Sequence, residues 1–336
     1  MTLDRRHVLG LLGASATALA APAAIAQTRP IRVGALRFTS HAPTFLALER
    51  GYFADQDLEV EPVYFQAAQP MAVAIASGDV DYAMTAVSGG LINLAAKGAV
   101  KVFAGGLTEE PGLPGQQILA SPQAHARGVR APADLAGGRF GMTTAGSSFH
   151  YMGSRIAEAE GIEMTFVPLQ KVGAVIGALK SGQIDGWSIV PHIAAGLTGS
   201  GGATEIGRVA DYLPGYQVTT IFGSTANLAD RALTESYLAA MRQGIADYDA
   251  AMVERAQGEE GERVMAAMLA PYVYPDRDAA DAAGAVIAGT MRINANAALN
   301  LASMRDQLEW FQSEGLIDAS IGLGDLVDES YAEMVG

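Results

Sequence analysis

The 336-residue sequence contains no cysteine. Disulfides, thiolate nucleophiles, cysteine-based zinc sites and lipidation at a processed N-terminal cysteine are therefore excluded. Basic residues are also scarce, since 22 Lys and Arg stand against 36 Asp and Glu, for a formal net charge of −14. This surplus of negative charge argues against nucleic acid and anionic membrane surfaces as partners, although it leaves the charge of a small ligand open.

Long apolar runs are absent as well, apart from one near the N-terminus. Residues 1–26 contain Arg5-Arg6, an apolar run from Val8 to Ala20, and Ala24-Ile25-Ala26 before Gln27. This order is typical of a cleaved export signal, and the paired arginines partly match the twin-arginine type, with Sec export as the alternative. A membrane anchor is the other interpretation, but the run is shorter than the ~20 residues that a span needs. We expect an exported, soluble, periplasmic chain that is not a lipoprotein and does not insert into the membrane once the signal is removed.

The sequence also lacks recognisable catalytic constellations. No G-x-S-x-G nucleophile motif occurs at a strand-to-helix turn. The five histidines, at positions 7, 41, 125, 150 and 192, include no pair with metal-binding spacing. We therefore expect a protein that is not an enzyme and that uses no metal or other cofactor.

A repeated pentapeptide is the most informative pattern that is present. Ser77-Gly78-Asp79-Val80-Asp81 matches Ser181-Gly182-Gln183-Ile184-Asp185, and in both places a helical pattern precedes the glycine and an apolar strand follows it. Glycine suits the left-handed residue after a helix. Two copies in the same context predict two similar α/β units whose facing sides form a cleft.

The alternation of strands and helices predicts parallel pairing through right-handed crossovers. Two Pro/Gly-rich breaks, at about 109–116 and 213–219, interrupt this pattern and predict two crossings between lobes. Lobe one would comprise residues 28–110 plus 220–336, and lobe two residues 116–212. We expect an α/β fold with two lobes, each a mostly parallel sheet flanked by helices, and a helical C-terminal region. The predicted strands are 31–36, 58–64, 81–87, 100–105, 117–120, 139–143, 164–169, 184–190 and 217–223, and the predicted helices are 43–50, 69–77, 90–97, 148–160, 172–181, 230–257, 262–269, 276–300 and 303–313.

Five segments resemble a known family: Phe45–Glu61, Ala74–Ala83, Asp134–Met142, Ala178–Trp187 and Gln307–Asp318. They are similar to the periplasmic substrate-binding proteins of nitrate/sulfonate/taurine-type ABC importers, a group that includes pyrimidine-precursor binding relatives of the thiamine-precursor synthases.

This resemblance implies the two-lobed periplasmic-binding-protein fold. It also implies a monomer that captures a small organic molecule, of sulfonate, carboxylate or pyrimidine type, and delivers it to the membrane permease of an ABC importer. One alternative is a sensor partner that presents its ligand to a membrane receptor. The other is a thiamine-precursor-related enzyme, against which the missing cysteine cluster of those relatives argues.

Ligands of open α/β sheets bind beyond the carboxyl ends of the strands. In lobe two, Gly146, Ser147 and Ser148 lie where a strand ends and a helix begins, and free backbone N–H groups there suit an anionic oxygen. Ser88 has the same position in lobe one. The alternative for these serines is a plain helix cap.

Further candidates follow the first two strands. Ser40 and His41 form the loop after the first strand, and the alternative for His41 is a solvated loop residue. Phe65 and Gln66 end the second strand and offer a stacking face and an amide, or else form an ordinary turn. Arg37 would pair with an anionic head group or with a nearby carboxylate.

The sequence has only two tryptophans. Trp187 lies in a strand of small residues, and we expect its ring to line the cleft and stack on a planar ligand, with core packing as the alternative. Trp310 lies on an amphipathic C-terminal helix and is predicted to be core. His150, inside a helix, is a weaker candidate and is more typical of a surface histidine.

Overall fold

The computed structural model describes residues 29–336. The expected export signal, residues 1–26, lies outside the described residues. Within 29–336 no helix is long and apolar enough to cross a membrane.

Twelve strands and thirteen α-helices make up the described chain. The strands are β1 (Ile31–Ala35), β2 (Val60–Tyr64), β3 (Tyr82–Thr85), β4 (Val100–Gly105), β5 (Gln117–Ala120), β6 (Arg139–Met142), β7 (Thr165–Pro168), β8 (Gly186–Ile189), β9 (Thr204–Arg208), β10 (Thr220–Ser224), β11 (Leu299–Asn300) and β12 (Met334–Val335). The helices are α1 (Ala42–Glu49), α2 (Ala68–Ala76), α3 (Gly89–Ala96), α4 (Pro122–Ala126), α5 (Ser148–Glu160), α6 (Val172–Ser181), α7 (Pro191–Gly199), α8 (Thr225–Ala229), α9 (Arg231–Tyr248), α10 (Gly258–Val273), α11 (Ala279–Ala288), α12 (Leu301–Ser313) and α13 (Leu323–Leu326).

Two five-stranded sheets carry the architecture, in the orders β2-β1-β3-β10-β4 and β7-β6-β8-β5-β9. The predicted α/β fold, with two mostly parallel sheets flanked by helices, is confirmed. The first sheet draws its strands from residues 31–105 and 220–224, and the second from residues 117–208. We use the names lobe one and lobe two for the parts of the chain built on the first and the second sheet.

The two strands that depart from parallel pairing are β5 and β10. Each of these strands is antiparallel to both of its neighbours, while the other four strands of its sheet share one direction. β5 and β10 are the strands that directly follow the two crossings between the sheets. A chain that arrives from the other lobe is not joined to the sheet by a helical crossover, so the handedness rule for parallel pairs does not apply to it.

The two sheets have the same topology. When β6, β7, β8 and β9 are matched to β1, β2, β3 and β4, both sheets place the inserted, reversed strand between the third and fourth. The repeated pentapeptides precede β3 and β8, which are equivalent strands. Gly78 and Gly182 have φ values of 78° and 71°, as predicted for residues that end a helix. The sequence repeat therefore reflects two structurally equivalent units.

Some elements differ from the predicted boundaries. Helix α7 and strand β9 were missing from the prediction, and the expected helix 230–257 divides into α9 and a π-helical turn, Asp249–Val253. The expected helix 276–300 ends at Ala288, and an irregular stretch leads from there to β11. Stretches of small and apolar residues favour helix locally, while packing decides where each helix ends.

Candidate functional site

The carboxyl ends of the strands of both sheets face a cavity between the lobes. Its volume is about 50 Å³, measured as the space open to the centre of a water molecule. Five of the predicted site residues line it, namely Ser40, His41, Ser88, Ser147 and Ser148. They arrive from both lobes, as parallel strands with helical crossovers require. The other lining residues are Leu36, Phe38, Ala67, Ala68, Gln69, Thr85, Ala86, Gln116, Thr143, Thr144, Phe149, Val172, Ile189, Val190, Val218 and Thr219.

Six helices begin at this cavity. The residues that cap α1, α2, α3, α5 and α7, and the first residue of α6, all lie on its wall; they are His41, Ala67, Ser88, Ser147, Val190 and Val172. A helix N-terminus carries a partial positive charge of roughly half a proton charge and exposes unpaired backbone N–H groups. These six helix N-termini therefore favour negative charge in the cavity, although no Lys or Arg lies among its described lining residues.

Three hydroxyl groups on the wall already accept hydrogen bonds from the backbone. Ser88 Oγ accepts from the N–H of Leu91 at 3.2 Å, and Ser147 Oγ accepts from the N–H of His150 at 3.4 Å. Thr219 Oγ1 accepts from the N–H of Leu107 at 2.7 Å. A hydroxyl that accepts in this way keeps its own hydrogen for donation. The capping and ligand-binding interpretations of Ser88 and Ser147 are therefore compatible, since a capping serine can also donate into the cavity.

His41 is 1% exposed, in contrast to the solvated alternative. Its Nδ1 lies 3.2 Å from Ser40 Oγ, and its Nε2 is buried without a hydrogen-bond partner. Burial lowers the pKa of His41 to about 3, so the imidazole is neutral near pH 7. The side chain is therefore a neutral imidazole on the cavity wall.

Gln116 is a lining residue that the sequence did not single out. It is 2% exposed, and its Nε2 is buried without a partner. It follows Gly115 in the first Pro/Gly-rich break, directly before β5. A polar residue at the point where a crossing segment enters a sheet was the only available signal. Gln69 and Thr143 were also missed, because their position in the site depends on how the lobes face each other.

Arg37, Phe65 and Gln66 do not line the cavity. They line an adjoining groove, together with Tyr64, and the groove shares Leu36, Phe38 and Val172 with the cavity wall. The Arg37 guanidinium lies 3.6 Å from the Tyr64 ring centroid and donates to the backbone oxygen of Tyr272 at 2.8 Å. The expected alternative, an ion pair between Arg37 and a carboxylate, is not what the structure shows.

Gly146 also lies off the cavity wall, and it joins the lobes. Its carbonyl oxygen accepts from the N–H of Gly89 at 3.0 Å, and its φ of 70° is readily adopted only by glycine. Further hydrogen bonds cross the cleft, and one of them joins the N–H of Val172 to the carbonyl oxygen of Gln66 at 3.3 Å. Thr39 Oγ1 lies 3.0 Å from His192 Nδ1, and Thr144 Oγ1 donates to Gln69 Oε1 at 3.0 Å. The structure is thus one in which the lobes are in contact.

Trp187 is the clearest correction. The predicted cleft-lining ring is 0% exposed and packs against Phe149, with ring centroids 5.4 Å apart. Phe149 lines the cavity, whereas Trp187 lies in the core of lobe two behind it. A strand directs alternate side chains to opposite faces, and the sequence does not reveal which face is covered by α5. The core position of Trp310, 6% exposed, is confirmed.

His150 is half-buried and does not line the cavity. Its Nδ1 accepts from the N–H of Gly146 at 3.2 Å, and its ring packs against Phe166 and Trp310. Burial lowers its pKa. The side chain thus supports the loop that carries Ser147. Within residues 29–336 no group of three or more His, Cys, Asp and Glu side chains is arranged to hold a metal ion.

A family model described as "NMT1/THI5 like" matches residues 38–251. No curated protein sequence matches the chain significantly. Solved structures of the same fold include the alkanesulfonate-binding protein SsuA from Xanthomonas axonopodis pv. citri bound to MOPS, at 18% identity and a TM-score of 0.69, covering 91% of this chain and 100% of that one.

Two further structures support the same fold. The ligand-binding component of an ABC-type import system from Staphylococcus aureus, with zinc bound, is 13% identical with a TM-score of 0.70, covering 90% of this chain and 98% of that one. The Candida albicans CA3427 gene product, described as having the generic periplasmic binding protein fold, is 16% identical with a TM-score of 0.67, covering 92% and 99%. At these identities the similarity establishes the fold.

Proposed function

This chain belongs to the NMT1/THI5-like family, and from that membership we propose that it is an extracytoplasmic solute-binding protein. It captures a small organic anion in the cavity between its lobes and delivers it to the permease of an ABC importer. The fold neighbours support this proposal, since one binds alkanesulfonates and another is the ligand-binding component of an import system. The proposed location is the periplasm, with the chain acting as a monomer.

The observation that carries the proposal is the convergence of six helix N-termini on a cavity whose described wall has no charged side chain. A group at a helix N-terminus gains about 0.3–1 kcal/mol per negative charge at exposed sites, and up to about 2 kcal/mol when partly buried. The hydroxyl groups of Ser88, Ser147 and Thr219 add donors. An oxyanion with several acceptor atoms satisfies them together, whereas a cation would face only unfavourable dipoles.

The dimensions favour a ligand with a compact head group. A water molecule needs roughly 10–15 Å³ of such space, so about 50 Å³ accommodates a group of a few heavy atoms. The adjoining groove, with Tyr64 and Phe65 on its wall, offers apolar surface for the remainder of the molecule. We infer a sulfonate or carboxylate head in the cavity and a short organic tail in the groove near Arg37.

Binding is favoured over catalysis by the state of the Ser40–His41 pair. A serine needs an adjacent general base to become a nucleophile, and an imidazole with a pKa of about 3 is a weak base at neutral pH. The Nε2 atom of His41 also lacks the carboxylate that would orient it. The chain also has no cysteine that could act as the nucleophile in place of Ser40.

A thermal-shift screen tests the proposal. Ethanesulfonate and propionate should stabilise the protein, by about 2.7 kcal/mol at a hundred times the dissociation constant. The neutral isosteres ethanesulfonamide and propionamide are matched controls that keep shape and remove charge. Equal stabilisation by the amides, or stabilisation only by uracil as a neutral pyrimidine, would contradict an anionic ligand.

Delivery to an importer needs a second experiment. The proposal predicts that the ligand-loaded protein stimulates ATP hydrolysis by its reconstituted partner permease and ATPase. A neighbouring kinase gene, and ligand-dependent kinase activity in place of ATP-driven import, would instead identify a sensor partner.

A further inference from the structure

Glu109 lies where the two crossing segments, residues 109–116 and 213–219, run beside each other. Its backbone N–H donates to the carbonyl of Tyr216 at 2.8 Å, and its carbonyl accepts from the N–H of Gly215 at 2.8 Å. The side chain is 0% exposed. Carboxylates are seldom buried so completely without a partner of opposite charge. The position of Glu109, between the lobes, therefore calls for a functional explanation.

The carboxyl group of Glu109 holds the backbone of Gln116. Oε1 accepts from the N–H of Gln116 at 2.9 Å, and Oε2 has no hydrogen-bond partner. A Cβ on Gly115 would collide with Oε2, so only glycine allows the carboxyl group to lie this close to the chain. Glu109 and Gly115 together fix the backbone at the point where Gln116 enters the cavity wall.

The Gln116 carboxamide lacks a hydrogen-bond partner for its nitrogen. Nε2 is buried, lies on a residue that lines the cavity, and has no partner. An unsatisfied buried donor typically costs about 1–3 kcal/mol, so it is rarely kept unless something else completes it. An acceptor atom on a bound ligand would do so.

We propose that Gln116 is a ligand contact supplied by the crossing segment, that its Nε2 donates to an oxygen of the bound ligand, and that Glu109 is the positioning residue that holds it. The proposal rests on the proposed function and assigns a specific donor within that site. It also links ligand binding to the segment that joins the lobes.

The buried surroundings of Glu109 cause its carboxyl group to lose its proton near neutral pH. Burial raises the pKa of Glu109 to about 7, against a smaller opposing contribution from the Gln116 N–H. Tyr216 is the titratable side chain that faces it, and burial followed by the proximity of Glu109 raises the pKa of Tyr216 far above its usual value. The neighbouring Glu110 is 3.8 Å from Arg292. Above pH 7 an ionised Glu109 would place negative charge behind Gln116 and disfavour an anion.

Calorimetric titration with ethanesulfonate, propionate and uracil tests the donor. Gln116→Leu removes the amide at nearly constant volume, and it should weaken the best-binding probe by about tenfold or more, as expected for a lost hydrogen bond to a charged group. Gln183→Leu, the same change at an exposed position, is the matched control. Unchanged affinity in Gln116→Leu would overturn the proposal.

The positioning role predicts a pH profile. Wild-type affinity for ethanesulfonate should fall several-fold between pH 6 and pH 8.5, because Glu109 ionises in that range. Glu109→Gln retains an oxygen that accepts from the Gln116 N–H, so its affinity at pH 6 should match the wild type and should stay constant with pH. If the affinity of Glu109→Gln depended on pH as strongly as that of the wild type, the positioning role of Glu109 would be overturned.

A measurement without ligand separates the two proposals. Because Nε2 has no partner in the protein, Gln116→Leu should leave the melting temperature unchanged or raise it. A melting temperature lowered by several degrees would show a structural role and overturn the ligand contact. If uracil binds better than either anion and Gln116→Leu weakens it tenfold, the anionic ligand is wrong while the donor assignment stands.

Discussion

Asp81 and Asp185 have the same hydrogen-bonding role in the two lobes. The N–H of Arg32 donates to Asp81 Oδ2 at 2.8 Å, and the N–H of Arg139 donates to Asp185 Oδ2 at 2.8 Å. Arg32 and Arg139 lie at the start of β1 and β6, which hold equivalent positions in the two sheets. Their side chains also donate to equivalent carbonyl oxygens, those of Gly78 and Gly182. The repeated pentapeptide therefore connects, through hydrogen bonds, the start of one strand to the end of a neighbouring helix.

The first prediction concerns how the hydrogen bonds of Asp185 respond to acid. Burial alone would raise the pKa of Asp185, but hydrogen bonds from Arg139 and Arg127 outweigh it and lower the pKa to about 2. A lowered pKa gives stability that is complete above the unfolded value near 4 and is lost as the pH falls through the folded value. Asp185→Asn should therefore cost about 2 kcal/mol at pH 7 and less at pH 3.

Urea unfolding between pH 7 and pH 3 measures this difference. Asp276→Asn, at an exposed aspartate, is the control and should stay within about 0.5 kcal/mol of the wild type. A cost for Asp185→Asn that is the same at both pH values would mean that hydrogen bonding without charge explains the effect.

The second prediction separates ligand binding from helix capping. Ser147→Ala should weaken ethanesulfonate binding by about 1–3 kcal/mol, because the hydroxyl donates to the anion. It should cost folding about 1 kcal/mol through the lost cap. Ser88→Ala should behave in the same way. Affinity by calorimetry and stability by urea unfolding give the two quantities.

The chain supplies matched controls for both serines. Ser121 and Ser224 cap α4 and α8 by accepting from Ala124 and Asn227, each at 3.1 Å, and neither lines the cavity. Their alanine variants should lose the same folding stability and no affinity. Comparable affinity losses in all four variants would assign the effect to helix stability, and the cavity serines would then be caps alone.

The third prediction follows from the burial of Trp187. Trp187→Ala should destabilise the protein by about 3–5 kcal/mol, the usual cost of removing a large aromatic side chain from a core. In the milder Trp187→Phe, the affinities for ethanesulfonate and benzenesulfonate should change by the same factor, since no ligand touches the indole. Selective weakening of benzenesulfonate would restore the stacking role predicted from the sequence.

The fourth prediction concerns lobe closure. A hydrogen bond between Thr39 and His192, and one in which Thr144 donates to Gln69, join the lobes across the cleft. Burial, its largest cause, lowers the pKa of His192 to about 3, so this contact keeps a neutral ring near pH 7. We expect small-angle X-ray scattering to give a smaller radius of gyration with saturating ethanesulfonate than without it.

Removing the two threonine hydroxyls should shift the equilibrium between open and closed lobes towards the open form. In Thr39→Val/Thr144→Val the affinity should fall, because part of the binding free energy must then close the lobes, while the saturated radius should equal that of the wild type. Thr165→Val, on an edge strand, is the control and should change neither quantity. A radius that is identical with and without ligand in every variant would rule out closure.

The glycines, the capping serines and the helical and alternating patterns predicted much of the fold. These signals depend on φ/ψ preferences and on hydrogen bonds between residues a few positions apart, so they are present in the sequence itself. They placed α5 and α6 at their observed bounds, and the repeated pentapeptide correctly indicated two equivalent units. They also directed attention to the loops at the strand ends, where Ser40, His41, Ser88, Ser147 and Ser148 meet in one cavity.

Other features depend on contacts between residues far apart in the chain, and only the tertiary structure decided them. The reversed direction of β5 and β10 follows from how the chain re-enters each sheet. The burial of Trp187 follows from which face of β8 the helix α5 covers. Gln116 belongs to the site only because the first crossing segment passes beneath the cavity, where Glu109 holds its backbone. Local pattern specifies elements and their ends, whereas the direction of a side chain is fixed by what packs against it.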